Sequence, residues 1–199
     1  MIMADGYTDL PPGKIASVVT FLEMRERPPA RHGAAPAGLS IRRVLQPSLD
    51  WYRKLYRAVG EEWLWFSRLR MNDRELAAII HDPRVYVYAV HDGEEDKGLL
   101  ELDGRSGFEI EIAYFGVTAD LFGRGAGYWL MGHALSGAWE TSPQRVWVHT
   151  CTLDHPRALS FYLNAGFTPY KRAIEIADDP RLTGEVPKNA APHVPLIEL

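Results

Sequence analysis

Along this chain the spacing of apolar residues changes repeatedly between a period near two and a period near 3.6, and those changes mark out its elements. Residues 14–24, KIASVVTFLEM, follow Pro11-Pro12-Gly13 and are rich in β-branched side chains. They predict a strand, placed outside the later core. Residues 28–38 hold three prolines and two glycines and predict a linker. Residues 39–45 (LSIRRVL) predict the first strand of the core. Ser48 or Asp50 then caps a helix reaching about Val59 and ending near Gly60. Asn72 and Glu75 have the spacing of a capping box, and the helix they open runs through Leu76, Ile79 and Ile80 until Pro83 stops it.

Residues 85–90 (VYVYAV) are apolar or aromatic at every position, the pattern of a strand buried on both faces. Strands at 98–102 and 108–117 follow, with turns at Asp92-Gly93 and Asp103-Gly104, so these three predict an antiparallel meander. The period then lengthens. Residues 124–139 place Leu130, Met131, Ala134, Leu135 and Ala138 on one helical face. Residues 145–150 predict a strand, Pro156 begins a helix to Ala165, Gly166 ends it, and 167–176 predict a last strand. The order predicts an α/β domain whose mixed, mostly antiparallel sheet is flanked by helices, with parallel or crossover pairing in its later part. The chain divides into an N-terminal strand arm and linker (1–38), a core domain (39–176) and a Pro-rich, extended tail (177–199).

The 199 residues suit one domain with one sizeable core. The net charge of -4 argues against a nucleic-acid partner, and no apolar run is long enough to span a bilayer. Cys151 is the sole cysteine, so no intrachain disulfide can form; with no leader pattern at the start, a cytoplasmic location is expected. The Cys151, His149 and His155 group matches no zinc spacing, so no metal is expected and the three are set aside as structural.

The segment 117–128, VTADLFGRGAGY, carries the most chemistry. A strand ends, glycines alternate with Arg124 and Ala126, and a helix begins at once. Glycines let backbone approach a bulky anion, and the first amides of a helix lack internal acceptors. Gly123, Arg124, Gly125, Ala126 and Gly127 therefore form a candidate pyrophosphate site. No Lys-Ser/Thr pair follows, which excludes a Walker loop.

This frame, Phe122-Gly123-Arg124-Gly125-Ala126-Gly127, resembles motif A of the GNAT acetyltransferase superfamily, with Phe122 where Gln or Arg is usual. His155–Phe167 (HPRALSFYLNAGF) resembles its motif B through Ala158, Tyr162, Gly166 and Phe167, with His155 in place of Asn. The resemblance covers the core domain. It implies a GNAT-like fold and acetyl-CoA as acyl donor, bound by the 122–127 loop, His155, Tyr162 and the backbone of Phe115 and Val117. It also implies Tyr162 as the acid that protonates the departing thiolate.

Glu109 and Glu111 share one face of the 108–117 strand, and that face continues through Ala113, Phe115 and Val117. An N-acyl transfer needs a base for the amine; the GNAT resemblance implies one at Glu111, directly or through water, which places it ahead of Glu109. The resemblance also implies a bulge in this strand, and Gly116 is consistent with such an irregularity. The aromatics of 51–66 could line an acceptor pocket or simply pack two helices. The expected function is transfer of acetyl to a primary amine, on a small molecule or peptide. A non-catalytic acyl-CoA sensor of the same fold is the alternative. A homodimer is left open, since strand 14–24 is expected to add to a sheet edge in its own chain or a partner's.

Overall fold

The computed structural model describes residues 5–29 and 34–198, so residues 30–33 of the expected linker and Leu199 of the tail lie outside the described residues. Among the described residues seven strands form one sheet: β1 (Lys14–Met24), β2 (Ser40–Val44), β3 (Val85–His91), β4 (Asp96–Asp103), β5 (Glu109–Val117), β6 (Arg145–Cys151) and β7 (Thr168–Asp178). Their order across the sheet is β2-β3-β4-β5-β6-β1-β7. Only β5 and β6 pair in parallel. The meander of β3, β4 and β5 is present as expected.

Helices cover both faces. On one face α4 (Ala126–Trp139) and α5 (Ala158–Ala165) pack over Leu100, Leu102, Ile110, Ile112 and Val148. On the other, α1 (Leu49–Gly60) and α3 (Asp73–Ile80) pack Tyr52, Tyr56, Leu76 and Ile80 on Val87, Ala89 and Leu99. The local signals act where the sequence places them. Ser48 caps α1 by accepting from the Trp51 amide at 3.3 Å. Asn72 and Glu75 exchange two 3.0 Å hydrogen bonds at the start of α3. A short α2 (Ser67–Arg70) lies between them and brings Arg68 to Glu101 at 2.6 Å. Glu101 is fully buried and also accepts from the Tyr52 hydroxyl at 2.5 Å.

Two expectations are corrected. Strand 14–24 is no appendage and joins no edge: it lies between β6 and β7, antiparallel to both. Leu22 and Met24 on it are buried in the same cluster as Leu130 and Val148 of α4 and β6. Its alternating apolar side chains gave the strand, but period alone does not say which strands flank it. The tail is not extended either. It opens with α6 (Pro180–Thr183), and the buried Arg181 holds Asp179 at 2.7 Å while donating to the Val194 carbonyl at 2.7 Å. That arginine folds the segment back, so Val186, Ala190 and Ala191 bury against Ile15 and Leu64.

Candidate active site

β5 builds one wall of the site. It pairs with β4 as Tyr114↔Glu101 and then Ile112↔Leu102, so Ala113 is an extra, unpaired residue. The expected irregularity is therefore at Ala113 and not at Gly116. A bulge reverses which side chains share a face. Phe115 and Val117 join Ile110 and Ile112 under α4, and only Tyr114 and Gly116 continue the Glu109–Glu111 face. The expectation that Phe115 and Val117 continue the face of those glutamates is thus overturned. Gly116 instead permits close approach: a Cβ there would meet Val59 at 2.6 Å and Trp65 at 3.4 Å. The Trp65 indole lies over this glycine and over Gly60, where a Cβ would meet it at 2.3 Å.

β5 and β6 pair only from Glu109↔Arg145 to Glu111↔Trp147. Beyond Glu111 the edge of β5 that faces β6 has no strand partner among the described residues, and this edge includes the backbone of Phe115 and Val117. From there on the two strands no longer pair, which leaves a gap in the hydrogen-bonding between them.

The glycine loop stands at one end of that gap. Leu121, 1% exposed, anchors the turn that leads into it. Gly123 and Gly125 have φ of 75° and 80°, a left-handed backbone that glycine adopts freely, and a Cβ at either would meet open space. The amides of Gly123, Gly125, Ala126 and Gly127 have no acceptor among the described residues, and Ala126 begins α4. These donors lie at the positive end of a 14-residue helix. Arg124 is exposed and donates at 3.4 Å to the Ala37 carbonyl. Phe122 and His155, the two departures from the motif patterns, touch each other edge to face at 5.3 Å. His155 in turn meets Trp63 at 5.1 Å.

Tyr162 on α5 lies behind the gap, packed edge to face on Phe115 at 6.2 Å and Phe167 at 6.1 Å. Its residue is 7% exposed, yet no described group hydrogen-bonds its hydroxyl. Burial raises its pKa well above the ordinary tyrosine value, and the charge of Asp154 adds to the rise. The phenol therefore stays protonated at any physiological pH. Asp154, which the sequence reading passed over, sits just after β6. It accepts from Thr150 at 2.7 Å, from the Cys151 amide at 2.8 Å and from the Trp65 indole at 3.4 Å. Its Thr-Leu-Asp-His-Pro surroundings read as an ordinary turn. Only the fold shows the tryptophan reaching it.

The two glutamates differ. Glu109 is held by Arg145 at 2.6 Å, and that arginine also binds Glu23 of β1 at 3.0 Å. Among the described residues Glu111 has no arginine or lysine partner; its neighbour is His149 at 3.3 Å. Burial pushes the Cys151 thiol pKa up to about 11, which favours the neutral thiol. Of the aromatics, Trp51, Tyr52 and Tyr56 serve packing and hydrogen bonding around α1, whereas Trp63 and Trp65 reach the site. Among the described residues no group of three or more His, Cys, Asp or Glu is placed to hold a metal ion, and no helix is long and apolar enough to cross a membrane.

A family model for GNAT acetyltransferases matches residues 46–167, a span that holds the glycine loop, both glutamates and Tyr162. The chain belongs to the GNAT acetyltransferase family. Solved structures of low identity share this GNAT fold. A GCN5-related N-acetyltransferase from Sphaerobacter thermophilus superposes with a TM-score of 0.60 at 19% identity, over 95% of this chain and 55% of that one. A conserved protein of unknown function from Staphylococcus epidermidis gives 0.54 at 15% identity, over 84% and 64%. An aminoglycoside acetyltransferase from an uncultured soil metagenomic sample, in complex with trehalose, gives 0.52 at 19% identity, over 65% and 88%. This GNAT chain spans less than two thirds of the length of the first two proteins. No curated protein sequence matches it.

Proposed function

We propose that this GNAT domain transfers acetyl from acetyl-CoA to a primary amine by direct attack. The observation that carries the reading is the gap between β5 and β6, opening where pairing stops at Glu111 and bordered by the free amides of the glycine loop. Those features fit the donor: unpaired strand edge for an amide-bearing arm, and free N–H groups with open glycines for a pyrophosphate. When bound, the donor supplies an activated thioester, and the protein's residues do the rest. The glycine-loop amides and Arg124 hold phosphate charge. Tyr162, kept protonated by burial, gives its proton to the departing thiolate. Glu111, without an arginine or lysine partner among the described residues, faces the acceptor side and contributes to the basic function together with its neighbour His149. Trp65 and Tyr114 border that side, with ring centroids 5.1 Å apart, and suit an amine carried on a small molecule or a peptide.

The aminoglycoside acetyltransferase among the similar structures makes a polyamine-like acceptor a reasonable first probe. A second reading, an acyl-CoA sensor without turnover, is favoured by the contact of Phe122 with His155, which puts two rings where the motifs usually carry polar side chains. Incubation with acetyl-CoA and a panel of primary amines separates the two. The proposal expects thiol release that depends on an amine. Heat stabilisation by CoA with no release across the panel would establish the sensor instead.

A further inference from the structure

Glu111 does not face the acceptor side alone. It lies opposite Trp147 in the parallel register, so residue 149 is one pleat further along β6 on the same face. There the His149 Nδ1 stands 3.3 Å from the Glu111 carboxylate. Phe21 of β1 and Trp147 steady the ring, with centroids at 5.6 Å and 6.1 Å. The His149 side chain is 44% exposed against 23% for Glu111, so the imidazole is the more accessible member of the pair. With Nδ1 turned to the carboxylate, Nε2 is the nitrogen left to meet a ligand, and no described group hydrogen-bonds it.

We propose that His149 takes the proton from the acceptor amine, and that Glu111 orients its ring and stabilises the imidazolium that forms. This rests on the acyl-transfer reading above. The Nε2 lone pair accepts one N–H proton as the amine nitrogen bonds to the acyl carbon. The carbon–sulfur bond breaks, and the sulfur leaves with the Tyr162 proton. The imidazolium then releases its proton to water and Tyr162 regains one, so charge and protons balance.

The surrounding charges support the role. Glu111 of β5 raises the His149 pKa above the ordinary histidine value; burial opposes this, and Asp154 and Glu175 of β7 add to the rise. Of opposite sign are Lys171 of β7, whose ammonium lies 4.5 Å over the Phe21 ring, and Arg145 of β6, which Glu109 and Glu23 hold. Asp154 acts on both His149 and Tyr162, which places the acid and the base in one electrostatic neighbourhood. The sequence alone sets His149 aside, because its partner lies on another strand.

The test compares the parent with H149Q and E111Q on one amine of known pKa, so that the amine's own titration is subtracted. The parent's kcat/KM is expected to rise with pH along a limb whose midpoint lies above the ordinary histidine value of about 6.5. H149Q should lose that limb and about 10²–10³ of kcat. E111Q should keep the limb, shifted to lower pH, at reduced rate. The His149 imidazole NMR titration, taken without donor or acceptor, should shift the same way between parent and E111Q. Unchanged melting and CoA stabilisation in H149Q would show that its fold and donor site are intact. An H149Q variant with parental kcat and the same limb would overturn the inference alone, as would a His149 titration indifferent to E111Q. A parent inert to every amine would overturn the acyl-transfer reading, and this inference with it.

Discussion

Tyr162 joins a ring packed on Phe115 and Phe167 to a hydroxyl that nothing in the described chain hydrogen-bonds. Tyr162→Phe keeps the packing and removes only the proton donor. Steady-state kinetics should show kcat lower by about 10²–10⁴ with the KM for acetyl-CoA nearly unchanged. A parental kcat would remove Tyr162 from the chemistry. Glu109→Gln should be far milder than Glu111→Gln, because Glu109 is occupied with Arg145. Arg68 belongs to stability. Burial lowers its pKa, but Glu101 and nearby tyrosines outweigh that and hold it charged. Arg68→Ala would strand the fully buried Glu101, a loss of about 3–5 kcal/mol measurable by urea unfolding. At this scale the sequence shows the glycines, Tyr162 and Glu111, since motif spacing is local. It does not show Asp154 or His149, whose meaning comes from Trp65 and Glu111 arriving from distant segments.

Elements defined by local chemistry are legible, and those defined by partners are not. Ser48, the Asn72–Glu75 box and Gly166 sit where the chain predicts, because caps are settled within one turn. The bulge at Ala113 has no glycine or proline to announce it, and it turns the face of everything after it. At the glycine loop, Gly125→Val places a β-branched residue at φ 80°, which costs about 1–2 kcal/mol although space is open. A modest fall in melting temperature is expected together with loss of stabilisation by CoA; undiminished CoA stabilisation would contradict the loop's role. At α6, burial raises the Asp179 pKa, but hydrogen bonds from Arg181 outweigh it and hold the carboxyl below its ordinary value. A depressed acid contributes stability that is full above its unfolded pKa, about 3.9, and is lost as pH falls through the folded value. Arg181→Ala should therefore destabilise strongly at neutral pH, and the difference from the parent should shrink in acid. Thermal unfolding from pH 7 to about pH 3 would show it; a constant difference would contradict the pairing.

In the whole molecule, β1 and the 178–198 segment close the half of the sheet that carries the gap. Strand 14–24 is visible in the sequence, but its place between β6 and β7 depends on edges contributed by residues more than a hundred positions later. Deleting the chain before Gly38 would leave β6 and β7 without their shared partner and remove Leu22, which is fully buried in the core. Loss of a cooperative melting transition is expected, and a melting curve like the parent's would contradict the topology. The central claim, acyl transfer to an amine, is tested most directly by following free thiol released from acetyl-CoA while the amine panel is analysed by mass spectrometry. The account predicts release that requires an amine, matched by acetylation of that amine, with both slowed together by about 10²–10⁴ in Tyr162→Phe. CoA that stabilises the protein while no amine in the panel is acetylated would contradict it.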